Sequence, residues 1–235
     1  MHPLDNVIWN ALNTSQIHLG VGQGVARKFH KDVSLLGGFA KPNNEAYDSL
    51  ADLLDDGERV GLFLEEDPKP PSTWKIVASM PLLQMLHESS SQAVEITLPV
   101  FHPLGKTDVP EMLALTKLTK PGPFATRTRE MGDYFGIRKD GALVAMAGER
   151  LRLPGFTEIS AVCTHPDHLG QGHARRLIAL LLGRIQGRNE QAFLHVRQDN
   201  TRAVELYERM GFESRVSVKY ALLSKTIRPG PHERR

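Results

Sequence analysis

Gly170 and Gly172 stand in the run Leu169-Gly170-Gln171-Gly172-His173-Ala174, where residue types and spacing suit the chemistry of holding an anion. Glycines admit backbone conformations closed to other residues and let a ligand come close to the main chain. The first N–H groups of a following helix have no intrahelical partner, and the helix dipole puts partial positive charge at the same end. A phosphate or pyrophosphate is the natural guest of such a turn. Arg175 and Arg176 come next in the chain. Two cations in a first helical turn oppose the dipole unless an anion sits nearby, although a solvated basic face explains them too.

The turn needs a strand before it and a helix after it. Ile159, Ala161 and Cys163 alternate with Glu158, Ser160 and Val162, as in a strand with two differently lined sides. That alternation puts Glu158 on one face with Ser160 and Val162, projecting into a cleft if the opposite face is core. The segment ends in Thr164-His165-Pro166-Asp167-His168. Beyond the turn, Ala174, Leu177, Ile178, Leu181, Leu182 and Ile185 mark one helical face, with Gly187 near the expected stop. Ala192 to Val196 reads as another apolar strand. A crossover of about two dozen residues between the two strands predicts that they run parallel.

A glycine-rich turn by itself is shared by several nucleotide-binding folds. No Gly-Lys-Ser or Gly-Lys-Thr closes this one, which excludes the nucleoside triphosphatase turn. A dinucleotide fingerprint would need glycine where Arg175 stands, and an acidic residue where Arg197 and Gln198 stand. The arrangement instead resembles the GNAT superfamily of N-acetyltransferases, whose cofactor motif reads Arg or Gln, two residues, Gly, one residue, then Gly or Ala. Gly172 and Ala174 fill the last two places, while Leu169 departs from the usual Arg or Gln. The superfamily's second signature is matched by Asn200, Ala203, Leu206, Tyr207, Met210, Gly211 and Phe212. The resemblance covers roughly residues 93 to 225.

The resemblance implies a direct transfer of acetyl from acetyl-CoA to a primary amine, with no metal. It assigns the pyrophosphate to Leu169, Gly170, Gln171, Gly172, His173, Ala174 and Arg175. The carbonyl and pantetheine arm fall to backbone groups of Val162, Cys163 and Thr164. Phe156-Thr157-Glu158-Ile159 is similar to the superfamily segment whose glutamate is a general base, so Glu158 takes that role by resemblance; a rim carboxylate in a surface ion pair is the competing account. Tyr207 matches the tyrosine that protonates the departing sulfur, against the alternative of a packed helix tyrosine. Asn200 either hydrogen-bonds the cofactor or caps the next helix. Cys163, alone in an apolar strand, reads as inert core rather than an acyl carrier. His165, His168 and His173 lack the carboxylate-histidine pattern of a metal site, though a histidine could shuttle protons.

Composition fits an ordinary globular enzyme, with 40% hydrophobic and 24% charged residues in 235. The 29 basic residues against 27 acidic ones lack the balance of a nucleic-acid binder. A lone cysteine excludes internal disulfides and fits a reducing compartment, so a cytoplasmic location is expected. No apolar run reaches the length of a membrane span, and the N-terminal segment does not read as a secretion signal.

The expected fold class is α/β (α+β): a GNAT-like mixed central sheet flanked by helices over residues 93–225, preceded by a smaller α/β part over 1–92 and followed by an unstructured tail over 226–235. The expected order is strand at Val94 to Val100, a helix near Met112 to Leu115, strands at Tyr134 to Arg138, Leu143 to Leu153 and through Glu158, then helix, strand, helix and a last strand at Phe212 to Leu223. Lys139-Asp140-Gly141 signals a hairpin between the first two of the middle strands. In the first part, Leu4 to Ile17 has helical spacing, and Val60 to Leu64 and Trp74 to Met80 resemble strands. His18-Leu19-Gly20-Val21-Gly22-Gln23-Gly24 echoes the later turn but follows no strand, and reads as a loop. The two-part length is similar to that of the glycine N-acyltransferase-like branch, whose first half is a degenerate copy of the fold. Two functions from different classes follow: an acetyl-CoA-dependent N-acetyltransferase, or a non-catalytic sensor that binds coenzyme A or acyl-CoA. A ketone-reducing dinucleotide enzyme is a distant third.

Overall fold

The computed structural model describes residues 2–88 and 101–226. The chain begins with helix α1 (Val7–Asn13) and three short strands, β1 (Gly20–Val21), β2 (Ala26–Phe29) and β3 (Gly37–Phe39). Helix α2 (Asn44–Asp52) leads to two longer strands, β4 (Arg59–Leu64) and β5 (Trp74–His87). The short β6 (His102–Pro103) and α3 (Val109–Thr119) precede β7 (Tyr134–Lys139), β8 (Ala142–Leu153) and β9 (Phe156–Thr164). Last come α4 (His173–Gln186), β10 (Gln191–Arg197), α5 (Thr201–Glu208) and β11 (Phe212–Lys225). The strand expected at Val94 to Val100 and the expected tail beyond Thr226 lie outside the described residues, while Thr226 itself donates its N–H to Thr73 O at 2.8 Å.

Eight strands form one sheet in the order β4-β11-β5-β10-β9-β8-β7-β6, and β1, β2 and β3 form a second, small antiparallel sheet. The only parallel pair among the described strands of the large sheet is β9 with β10, as the helical crossover through α4 requires. Residues on both sides of position 92 share this sheet: β5 lies between β10 and β11, and β4 borders β11. The hairpin at Asp140-Gly141 has φ of 50° and 82°, the left-handed pair that a two-residue turn between twisted strands favours.

One face of the large sheet is covered by α4 and α5. Leu177, Ile178, Leu181 and Ile185 are fully buried there against Ile159, Leu194 and Phe212. Each such side chain stabilises the fold by about 1.5–3 kcal/mol. The opposite face is covered by α1, the small sheet and α3, which bury Leu4, Leu12, Phe29 and Leu151 in one cluster and Met112, Tyr134, Met146 and Cys163 in another. The Gly20 to Gly24 segment differs from the expected loop in part, because Gly20 and Val21 pair with Phe29 and Lys28. A Cβ on Gly22 would come within 2.6 Å of Leu53 Cδ1 and 2.7 Å of Ala26 O, so the chain at Gly22 is packed against protein, while Gly24 has no atom within 4 Å of such a Cβ.

Candidate active site

Strands β9 and β10 pair only at their beginnings, through Phe156 with Gln191, Thr157 with Ala192 and Glu158 with Phe193. Beyond Glu158 the two strands part, and the main chain from Ile159 to Thr164 has no partner on β10. On its other side β9 stays with β8 but carries a bulge: Ser160 opposes Gly148 and Cys163 opposes Met146, so Ala161 and Val162 share one partner residue. Ala161 sits at φ 52°, a left-handed conformation that costs a non-glycine residue about 1–2 kcal/mol. The bulge reverses the expected alternation. Ile159 and Val162 pack toward α4, while Ala161 and Cys163 pack toward α3. Glu158 therefore does not share its face with Val162.

The split leads straight to the glycine turn. Gly170 and Gly172 have φ of 75° and 74°, and a Cβ built on either meets no atom within 4 Å. Glycine is thus required there by the dihedral, and the space beside it is open. Helix α4 starts at His173, and its first bond from outside runs from Arg176 N to Gly172 O. The N–H groups of Gly170 through Arg175 have no backbone acceptor among the described residues. Lys139 Nζ holds Gln171 Oε1 at 3.0 Å, and Arg176 reaches the Gln171 carbonyl at 3.2 Å, fixing the turn from two sides. His173 is 6% exposed, yet neither ring nitrogen has a partner, and His168 Nδ1 is likewise buried and unpartnered. Burial, with the nearby cations of Arg176 and Lys139, lowers the His173 pKa. A row of free N–H groups, open space and two imidazoles with unused nitrogens fits a phosphate-bearing cofactor.

At the apex of the split lies a buried polar network. Glu158 is fully buried and opposes Arg150 and Leu151 together, because β8 carries an extra residue there. That irregularity brings Arg150 Nε to 2.8 Å and an Arg150 terminal nitrogen to 2.6 Å from the two carboxylate oxygens, with Leu151 N–H at 3.3 Å. His195 on β10 adds a bond from Nδ1 at 2.7 Å. Burial by itself would raise the Glu158 carboxyl, but Arg150 and His195 outweigh it and bring the pKa down to about 2. The network continues from His195 Nε2 to Gln84 Nε2 at 3.1 Å, then through Arg215 to Asp5 at 2.7 Å. The His195 side chain is 1% exposed while the residue as a whole is not buried, so its main chain is what faces the split.

A protein of the GNAT acetyltransferase family from Novosphingobium aromaticivorans DSM 12444 has a structure that superposes with a TM-score of 0.89 at 38% identity, over 97% of this chain and 100% of that one. The FR47-like protein family matches residues 134–221, the span from β7 to β11. This chain belongs to the GNAT family. N-alpha-acetyltransferase RimI of Mycobacterium tuberculosis (strain ATCC 25618 / H37Rv) is 38% identical over 100 residues, 40% of this chain and 62% of that protein. Uncharacterized protein ML0378 of Mycobacterium leprae (strain TN) is 37% identical over 100 residues, again 40% of this chain but 27% of its own length. The chain thus spans less than two thirds of these two curated relatives. A GCN5-related N-acetyltransferase from Kribbella flavida shares the fold, with a TM-score of 0.57 at 19% identity over 95% of this chain and 97% of that one.

Of the other residues that the GNAT resemblance singles out, three lie on β9 itself and the rest on α5, at its N-cap and at the turn. Val162, Cys163 and Thr164 form the unpaired flank of β9, with the Cys163 side chain buried and its thiol pushed up to about 11 by burial. Tyr207 packs edge-on to Phe212 at 5.8 Å on the α4 side, and burial pushes its phenol up to about 12. Asn200 accepts the Ala203 N–H at 3.3 Å and so caps α5. Leu169, at 50% exposure, lines the outside of the turn and offers no polar group to a phosphate. Arg150, His195, Gln84 and Tyr134 were not singled out from the sequence. A histidine between Leu194 and Val196 was the one visible signal, since an apolar strand rarely carries an imidazole without a partner. Among the described residues no group of three or more His, Cys, Asp or Glu could hold a metal ion, and no helix is long and apolar enough to cross a membrane.

Proposed function

We propose that this GNAT protein is an acetyl-CoA-dependent N-acetyltransferase that passes acetyl directly to a primary amine. The observation that carries this reading is the continuity between the unpaired flank of β9 and the free N–H groups from Gly170 to Arg175. Those N–H groups and the open space at Gly170 and Gly172 suit the pyrophosphate of coenzyme A. The flank of β9 from Val162 to Thr164 that has no partner on β10 then borders the thioester. The RimI relative is named as acting on an α-amine, which supports a primary amine as the acceptor class.

In the proposed step the amine nitrogen bonds to the thioester carbon and the C–S bond breaks. Tyr207 donates its proton to the departing sulfur, since a phenol held near 12 stays protonated at neutral pH. The proton lost by the nitrogen passes through water in the cleft and is returned to the Tyr207 phenolate, so amide and free thiol are the only net products. Glu158 has both oxygens occupied and a carboxyl brought down to about 2, which makes it a weak base in this arrangement. Its proposed role is that of a fixed anion near the reaction centre, orienting His195 and favouring the positive charge that grows on the attacking nitrogen.

The saturation of Glu158 also favours the second reading, a sensor that binds acyl-CoA without turning it over. Coenzyme A thiol release measured with a panel of amines in wild type, Glu158→Gln and Tyr207→Phe separates the two. Amine-stimulated release that falls in Tyr207→Phe supports the enzyme. Saturable acetyl-CoA binding with no amine-stimulated release in any of the three supports the sensor.

A further inference from the structure

A cavity of about 390 Å³ opens at the C-terminal end of α3, lined by Leu113, Thr116, Lys117, Lys120, Gly122 and Phe124. Its volume falls within the usual range of small-ligand sites, about 300–1,000 Å³. Two contacts fix its place relative to the split. Cys163, beside the β9 bulge, is buried in one cluster with Met112 and Leu115 of α3. Phe124 packs edge-on to Tyr134 at 5.6 Å, and Tyr134 lies against Gly148, the residue paired with Ser160. The cavity is therefore level with the point where β9 leaves β10, on the face opposite α4.

The lining has two chemical parts. Leu113, Phe124 and the ring of Tyr134 behind it are apolar, and the Tyr134 hydroxyl is buried with no hydrogen-bond partner. Lys117 and Lys120 are exposed, and neither side chain has an ion pair or hydrogen bond among the described residues. Their place in the last helical turn has a bland explanation in the helix dipole. That explanation does not reach Arg129, in the turn that closes the same loop, whose Nε is buried and unpartnered. Residues 117–131 carry four cations against the single carboxylate of Glu130, which is already held by Arg127. The excess positive charge of this one lip is larger than the net +2 of the whole chain. A basic acceptor would be repelled here, and one that carries a carboxylate would be attracted.

Resting on the acetyltransferase reading, we propose that this cavity is the acceptor subsite and that the acceptor is a primary amine whose skeleton also carries a carboxylate. Lys117 and Lys120 hold the carboxylate, the apolar wall of Leu113 and Phe124 takes the carbon chain, and the amine is directed toward the split. Such an acceptor can be a free acidic amino acid or the N-terminus of an acidic peptide, and the two share this chemistry.

The test compares L-glutamate with L-glutamine, and the peptide Ala-Glu-Glu-Glu with Ala-Gln-Gln-Gln and Ala-Lys-Lys-Lys. Each is measured twice: by thiol release with acetyl-CoA, and by calorimetric binding to the protein with coenzyme A present. The proteins are wild type, Lys117→Gln/Lys120→Gln and Lys117→Arg/Lys120→Arg. The acidic member of a series is expected to bind and react at least tenfold better than its neutral counterpart. The glutamine double variant should erase that preference through KM with kcat unchanged, and the arginine variant should keep it. Which series shows the preference tells amino acid from peptide. Lysine-dependent binding of the acidic probe without any thiol release would sustain the subsite and sink the enzyme. Equal use of neutral and acidic amines, or a preference untouched by the glutamine variant, overturns the subsite while leaving the acetyltransferase standing. No binding of any acidic probe overturns it as well.

Discussion

His195 Nδ1 lies 2.7 Å from Glu158 Oε1, across the gap that opens where β9 and β10 cease to pair. A carboxylate with a pKa near 2 can only accept, so Nδ1 carries the proton. Burial lowers the His195 pKa, which leaves Nε2 unprotonated and able to accept from Gln84 Nε2. The Gln84 amide oxygen then accepts from Arg215, and Arg215 pairs with Asp5. Every polar atom in the series has one consistent donor or acceptor role, tying the first residues of the chain to the centre of the split.

Breaking this series at Glu158 should be costly. Glu158→Gln leaves the buried Arg150 guanidinium without its counter-charge, and loss of one partner of such a pair costs about 3–5 kcal/mol. Urea denaturation should show that loss in the midpoint with little change in slope. Adding Arg150→Met to Glu158→Gln should recover most of it, since removal of both charges leaves neither unpaired. A single variant as stable as wild type would mean that the pair carries no net energy.

The same carboxylate sets an acid limit. Its pKa is about 2 when folded against 4.5 for the free side chain, so the unfolded chain binds the extra proton first. The stabilisation is fully present above about pH 4.5 and is lost as the pH falls toward 2. Thermal melts between pH 2 and 5 should show a fall in Tm that is steeper in wild type than in Glu158→Gln. Parallel profiles would refute the assignment.

The sequence made the α4 face, the parallel strand pair and the glycine turn legible, because each rests on local periodicity or on glycine chemistry. The Asp140-Gly141 hairpin was readable for the same reason. What it did not disclose depends on register. Two residues of β9 share one partner on β8 at Ala161, and two residues of β8 share Glu158, and either slip redirects every side chain beyond it. Glu158 was visible as a carboxylate, but its burial follows from Arg150 and His195, which lie on two other strands. The pairing of β5 between β10 and β11 was hidden because those strands are far apart in sequence.

The glycine turn can be tested by adding a single carbon. Gly172→Ala places a Cβ at φ 74° with no atom within 4 Å, so any effect is conformational rather than a clash. Stability should drop by about 1–2 kcal/mol. Acetyl-CoA affinity should fall as well, because relief of the strain turns the free N–H groups away from a common point. Gly183→Ala, in α4 with open space around it and no left-handed φ, should leave both quantities near wild type. A Gly172→Ala protein that binds acetyl-CoA as tightly as wild type would remove the turn from the cofactor site.

Tyr207 offers the sharpest separation of chemistry from folding. Its ring packs on Phe212, and Tyr207→Phe keeps that contact, so the melting temperature should barely move. If the phenol protonates the leaving sulfur, kcat should fall about 10²-fold or more, with acetyl-CoA affinity unchanged. The raised pKa fixes the sign of the pH effect: with the phenol held near 12, wild-type turnover should not lose its proton donor between pH 7 and 10. A less basic thiol leaving group needs less protonation, so the deficit of Tyr207→Phe should shrink when an acyl donor with a more acidic thiol replaces acetyl-CoA. A deficit of the same size with both donors would assign Tyr207 to packing, with the proton coming from elsewhere.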